Sequence, residues 1–399
     1  MNNIRTHELI KRILFTVLIL AIYLVGRSII LYGVPDDTEL AHGLTAQNVV
    51  ITMLSGDVYQ RTIMALGVMP YINASLLVQV ISAFKSAGSR AKVSKQKQER
   101  WMIIAAVIIT VFMAIIHTQG MEIDPGPLSM GAAKFIVLLE IIGGAMLTFF
   151  LCETNEKNGI GASMPIIMVN VITSFVGTLN SSHFLNYPYL ILACAIVVIA
   201  TAYLENSLVK IPLQRVSIHN IHADENYLAY KRNPVGIMPV MFASAMLMAV
   251  QYFFIMLEMI FPDNRTLPKI LDQLSTTKPA GIILYLLIII GLTYAFAFIM
   301  LNPMETARAL QRNGDSIIGI YAGKDTRRYL VRQVLGLSFT SGLLQAGCMA
   351  VFLILAYANV IPAALAMIPT SVMILVSIIC TFTQEISTYY RYDSYKFFI

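Results

Sequence analysis

Long apolar stretches separated by short polar and basic ones organise this chain from end to end. A helix needs about 20 mostly apolar residues to cross a bilayer. Ten stretches fit: 10–31, 63–84, 101–119, 132–152, 160–178, 188–207, 235–259, 280–301, 334–356 and 362–384. They predict ten spans, numbered one to ten. Several hold Pro, Gly or amides, which lipid tolerates only where protein or a watery cavity satisfies the broken backbone. Span two is the least ordinary: residues 66–81 read LGVMPYINASLLVQVI, a Gly-x-x-Pro opening followed by Asn73, Ser75 and Gln79. Span seven opens the same way. Residues 235–244 read VGIMPVMFAS, and Gly67, Met69, Pro70, Ala74 and Ser75 map onto Gly236, Met238, Pro239, Ala243 and Ser244. Such a recurrence suggests one half-structure used twice.

Charge placement turns this pair into a topology. The segment after span two holds Lys85, Arg90, Lys92, Lys95, Lys97 and Arg100, and the one after span six holds Lys210, Arg215, Lys231 and Arg232. The one after span eight holds Arg308, Arg312, Lys324, Arg327, Arg328 and Arg332. Basic loops stay in the cytoplasm, so all three share that side and both termini join them. Span two then runs outward to inward and span seven the reverse. The expected fold is an all-α membrane protein of ten transmembrane helices in two inverted five-helix halves, 1–187 and 188–399, around a central pore. Residues 32–62 are too polar for a span. The apolar piece at 48–53 is too short to cross and reads as a short helix tucked into a cavity or lying at the outer interface.

Composition agrees with a multi-pass membrane chain: 57% of residues are hydrophobic and 13% charged, against about 25% charged in soluble domains. The first span lacks a small-residue cleavage site and reads as retained. Cys152, Cys194, Cys348 and Cys380 show no C-x-x-C spacing and read as packing residues. No enzyme constellation, cofactor motif, metal site or nucleic-acid surface is indicated. The run 319–325, GIYAGKD, is one residue short of a phosphate loop, and Asp325 would repel phosphate where Ser or Thr should hold magnesium. His219 and His222 sit in a cytoplasmic loop and read as solvated. Glu140, deep in span four, is either a coupling group or a structural hydrogen bond.

Several stretches resemble the SecY family of protein-conducting channels. ALGVMPYINASLLVQVI (65–81) is similar to its second-helix signature, and MLSGDVYQR (53–61) to the end of its plug. GIGASMPIIM (159–168), NPVGIMPVMFAS (233–244) and PTSVMILV (369–376) resemble the starts of helices five, seven and ten. NPMETARALQRNGDSIIGIYAGKDTRRYL (302–330) resembles the loop between helices eight and nine. The resemblance implies that unfolded secretory chains cross between the halves, while apolar segments leave through a lateral gate. It implies a constriction ring of Val68, Ile72, Met168, Ile172, Met241 and Ile374. It also implies a plug at 45–58, including Met53, Leu54, Ser55 and Gly56. Asn73, Ser75 and Gln79 would line the gate or hold helices together. Loops 208–233 and 302–332 would dock a cytosolic SecA-type ATPase through Arg308, Arg312, Lys324, Arg327 and Arg328. Small SecE/SecG-like or accessory membrane subunits are the implied partners within the bilayer.

Departures narrow the resemblance. Tyr321 stands in a GIYAG turn where the family carries Arg, the 208–233 loop is compact, and Ile368-Pro369 replaces a Gly-Gly. These features resemble the accessory SecY paralogue of Gram-positive bacteria, which exports glycosylated, serine-rich surface proteins with its own motor. Three alternatives stand beside this reading. One is a housekeeping SecY channel, one an inverted-repeat secondary transporter using Glu140 for ion coupling, and one a scaffold or insertase without a full pore.

Overall fold

The computed structural model describes residues 2–34, 61–84, 95–119, 121, 123–181, 187–215, 226–260, 266–275, 278–321 and 323–394. The expected plug and the His219/His222 pair lie outside them. The helices, in chain order, are α1 (Asn2–Arg27), α2 (Met69–Phe84), α3 (Lys95–Gln119), α4 (Met130–Asn158), α5 (Met164–Ser181), α6 (Pro188–Asn206), α7 (Met238–Ile260), α8 (Leu267–Gln273), α9 (Pro279–Leu301), α10 (Pro303–Asn313), α11 (Lys324–Tyr357) and α12 (Ile368–Ser394). Strands β1 (Leu208–Arg215) and β2 (Tyr227–Lys231) follow α6, and β3 (Asp315–Ile317) follows α10. A 3₁₀ turn, Ala363–Met367, leads into α12.

A helix overlaps each of the ten expected spans. Among the described residues, seven are long and apolar enough to cross a membrane: those at Leu9–Arg27, Glu99–Gln119, Met130–Asn158, Pro188–Asn206, Pro279–Asn313, Lys324–Tyr357 and Ala363–Thr388. α2, α5 and α7 are not among them. Of the apolar window around α12, 72% is buried, against 22% in those of α1 and α3. α12 is therefore enclosed by protein, while α1 and α3 turn most of their side chains outward, as helices facing lipid do.

Hydroxyls inside these apolar helices are satisfied locally. Thr110, Thr148, Thr178, Ser244, Thr293 and Ser338 each donate to the carbonyl four residues back, at 2.6–3.1 Å. That geometry lets a polar side chain sit in hydrocarbon without a distant partner.

The chain separates into two compact units. The first comprises Met1–Val78, Val93–Ile191 and Ala358–Ile399, and the second Gln79–Lys92 and Leu192–Tyr357. The expected division at 187/188 concerns repeat symmetry, which compactness does not measure. In the first unit α4 packs against α1 and α3, and α5 against α12. Tyr23, fully buried on α1, donates to Asn170 Oδ1 on α5 at 2.9 Å. Tyr71 on α2 meets Phe149 on α4 edge to face, centroids 5.5 Å apart. Gly144 on α4 lies against the Ile63 carbonyl, where no Cβ fits. Gly144→Ala should therefore destabilise the protein by about 1–3 kcal/mol, as overpacking does. Its thermal midpoint in detergent should fall, while that of Gly143→Ala, whose Cβ meets nothing within 4 Å, should not.

In the second unit α9 packs against both α7 and α11. The described parts of the loops expected at 208–233 and 302–332 fold together. β1 pairs antiparallel with β2, Val209 opposite Tyr230, and with β3, Leu213 opposite Ile317, giving the order β2-β1-β3. The all-α expectation thus gains a small three-stranded sheet. α11 also begins ten residues before its expected span, because hydropathy marks the apolar part of a helix and not its polar extension. Asn302 closes α9 and opens α10 in the left-handed region, φ 37°, a conformation Asn tolerates better than most residues.

Candidate functional site

Four helices carry the expected ring residues other than Val68, which immediately precedes α2, and each starts with an apolar residue followed by proline: Met69-Pro70, Met164-Pro165, Met238-Pro239 and Ile368-Pro369. Proline suits a first helical turn, where the missing N–H would have no partner in the helix. In α2 and α7 the turn before it holds a left-handed glycine, Gly67 at φ 50° and Gly236 at φ 68°. The pair found in sequence is thus also a pair in backbone conformation. α5 follows Gly161 at φ 76°, against which the Phe382 ring of α12 lies with no room for a Cβ. The start of α12 is set by left-handed Asn359 at φ 55° and the 3₁₀ turn. The match between the α5 and α12 starts escaped the sequence reading because only a dipeptide signals it.

Val68, Ile72 and Ile374 are buried in the first unit, and Met241 is buried in the second. Met168 is half-buried, and Ile172 one turn later is 42% exposed. Met168 and Ile172 lie four residues apart and form one apolar stripe on α5, while Val68, just before α2, accepts the Ile72 N–H at 3.0 Å. Asn73 is half-buried and reaches Met113 Sδ on α3 at 4.0 Å. Ser75 is half-buried, and the side chain of Gln79 lies outside the described residues.

The residues expected to dock a motor stand on a small body built from the sheet, α10 and α11. Ile211, Tyr230, Ala307, Leu310, Ile317, Leu330 and Leu337 form its core, joining the sheet to α10 and α11. Arg308 and Arg312 project from α10, and Lys324, Arg327 and Arg328 from the first turns of α11, all exposed. Arg327 Nη2 lies 3.2 Å from Met304 Sδ. Tyr321 is 84% exposed at the tip of the turn between left-handed Gly319 and Gly323. Thr326 fixes the turn by donating to the Tyr321 carbonyl at 2.8 Å.

At the neck of this body, Asn233 Nδ2 donates to the buried Glu205 carboxylate at 3.2 Å. Sequence reasoning missed this pair, which lies 28 residues apart. Three residues further on, the Gly236 carbonyl accepts from Gln345 Nε2 at 3.0 Å. Glu140 Oε2 accepts the Tyr32 backbone N–H at 2.9 Å. Among the described residues no group of three or more His, Cys, Asp or Glu could hold a metal ion.

The SecY family profile matches residues 62–383. The accessory Sec system protein translocase subunit SecY2 of Leuconostoc gelidum subsp. gasicomitatum is 30% identical over 86% of this chain and 85% of its own. The protein translocase subunit SecY of Streptococcus gordonii is 29% identical over 80% and 79%. Among solved structures, a protein-conducting channel superimposes with a TM-score of 0.68 over 96% of this chain and 93% of its own, at 18% identity. The profile includes the starts of all four proline-initiated helices, and this chain belongs to the SecY family.

Proposed function

We propose that this chain is the channel-forming subunit of an accessory Sec translocase. It passes unfolded, glycosylated serine-rich surface proteins across the plasma membrane. In this reading the ten helices span the membrane as two inverted five-helix halves, 1–187 and 188–399, with both termini in the cytoplasm. The polypeptide crosses between the halves through Val68, Ile72, Met168, Ile172, Met241 and Ile374. Residues 45–58 plug the outer side, and Asn73, Ser75 and Gln79 lie along the lateral gate. A SecA-type ATPase supplies the force from the body that bears Arg308, Arg312, Lys324, Arg327 and Arg328. SecE/SecG-like subunits complete the assembly in the bilayer.

One observation carries the reading. The residues this reading assigns to the ring, on or just before the proline-started helices, are Val, Ile and Met, where a coupled transporter needs convergent polar groups. An apolar ring offers a passing peptide no hydrogen bonds, so it neither selects sequence nor traps the chain. When closed it disfavours water and ions. Methionine suits such a ring because its unbranched side chain reshapes readily. Glu140, the transporter reading's coupling group, already accepts a backbone N–H. The exposed Tyr321 turn supports the accessory over the housekeeping form, since no arginine stands there to meet a housekeeping motor.

Photocrosslinking in cells tests the reading directly. Probes attached to cysteines at 72 and at 241 should both label a stalled secreted chain. A control cysteine at Phe135, exposed on α4, should not. Labelling confined to the control, or absent at both ring sites, would remove the pore from this place.

A further inference from the structure

Glu140 belongs neither to the ring nor to the docking body, yet it is a carboxylate held within a membrane span. We propose that Glu140 is a positioning residue: it latches the 29–33 stem to α4 and thereby fixes the first turn of α2 and the ring residues Val68 and Ile72. The proposal rests on the channel reading.

α4 offers Glu140, Gly144 and Thr148 at intervals of four, one stripe along its surface. All three meet the same pair of chain segments. Glu140 Oε2 takes the Tyr32 N–H at 2.9 Å. Gly144 receives the Ile63 backbone, and the Thr148 hydroxyl lies 3.0 Å from Met64 Sδ. The two segments are joined by one antiparallel bridge, Ile30 opposite Thr62. It is flanked by Leu31 N to Arg61 O at 2.9 Å and Ile63 N to Ile29 O at 3.0 Å. A pairing this short does not hold itself in place. α4 supplies what it lacks, by shape at Gly144 and by a hydrogen-bond acceptor at Glu140. Leu31 and Leu66 enter one core with Val137, Ile141 and Ala145.

Little slack separates the bridge from the ring. Ala65 N bonds Thr62 O at 2.9 Å, Gly67 N bonds Met64 O at 2.8 Å, and Met69 N bonds Leu66 O at 3.2 Å. Ile72 N then bonds Val68 O at 3.0 Å. A shift of the stem is passed turn by turn to Val68 and Ile72. What the latch requires is an acceptor at Glu140, not a proton that comes and goes.

The test measures the resting ion conductance of the full chain, reconstituted in planar bilayers. Glu140→Met keeps length and bulk but removes the acceptor, whereas Glu140→Gln keeps an acceptor oxygen. E140M should raise the conductance about tenfold or more, the population shift expected when the Tyr32 N–H is left without its acceptor. E140Q should stay close to the parent. Ile30 and Thr62 face each other as a non-hydrogen-bonded pair, about 4.5 Å apart at Cα, within disulfide reach. Oxidising an Ile30→Cys/Thr62→Cys pair in the E140M protein should restore the seal, and reductant should abolish it. If E140M is recovered only in tethered form, that reduction step makes the same comparison on a folded protein. E140Q leaking as much as E140M would overturn the latch in favour of a charge-dependent role. E140M remaining sealed while Ile72→Asn/Met241→Asn leaks would overturn the latch alone. If that ring variant is sealed too, the ring reading fails and the latch with it.

Discussion

Vesicles reconstituted with the Ile72→Asn/Met241→Asn protein are expected to leak ions at rest about tenfold to a hundredfold faster than those with the parent. An ion meets a barrier at a closed apolar constriction because nothing there replaces its hydration shell. Each 1.4 kcal/mol removed from that barrier multiplies the passage rate about tenfold. Two carboxamides supply both donors and acceptors where the parent supplies none. Ile72 lies on the first turns of α2, just after the left-handed Gly67, and Met241 holds the matching place after Gly236. The double variant therefore alters both members of the repeated motif. Ile199→Asn, on the exposed face of α6, is the control for a polar residue added elsewhere. Its conductance should match the parent's. Equal conductance in parent and ring variant would remove the ring assignment.

Reversing Arg327 and Arg328 to Glu should abolish most motor-driven export while leaving membrane insertion of the chain intact. Both side chains are exposed at the start of α11, so the hydrophobic core beneath, with Leu310 and Leu330, is untouched. The reversal replaces two positive charges with two negative ones beside Asp325. Electrostatic steering contributes about 10–10³ in association rate, and a reversed patch loses that factor. Export measured with inverted membrane vesicles and purified accessory ATPase should fall accordingly. Lysine at both positions should preserve it, because steering depends on charge more than on side-chain shape. Tyr321 is a separate matter: Tyr321→Arg tests whether this turn distinguishes motors. It should weaken use of the accessory ATPase relative to a housekeeping one. Unchanged preference between the two would remove that role from the turn.

Several elements were legible before the structure because each rests on a local rule. Ten apolar stretches became ten helical segments, since a run of that length has no other way to satisfy its backbone in lipid. The Gly67/Gly236 pair was legible because five matching residues survive in it, and its left-handed backbone follows from glycine's lack of a Cβ. The basic residues at 308–328 were legible as one segment but read as a loop, whereas they stand on α10 and the start of α11. The sheet that joins 208–215 to 315–317 was not foreseen, because β-pairing connects residues about a hundred positions apart and leaves no local periodicity. Glu140 could only be posed as an alternative, since its partner is a backbone N–H 108 residues earlier.

The sequence by itself determined the membrane class, the helical segments, the repeated helix starts, the basic segments and the family. All of these follow from hydropathy, charge and residue identity read over short windows. Only the tertiary structure decided that two basic loops form one body around Leu310 and Leu330. It alone showed that α12 is enclosed while α1 and α3 face outward, and that Glu140, Gly144 and Thr148 share one set of neighbours. Those outcomes depend on which distant segments meet. Packing settles that by matching shapes and satisfying buried donors, and neither can be read from one segment at a time.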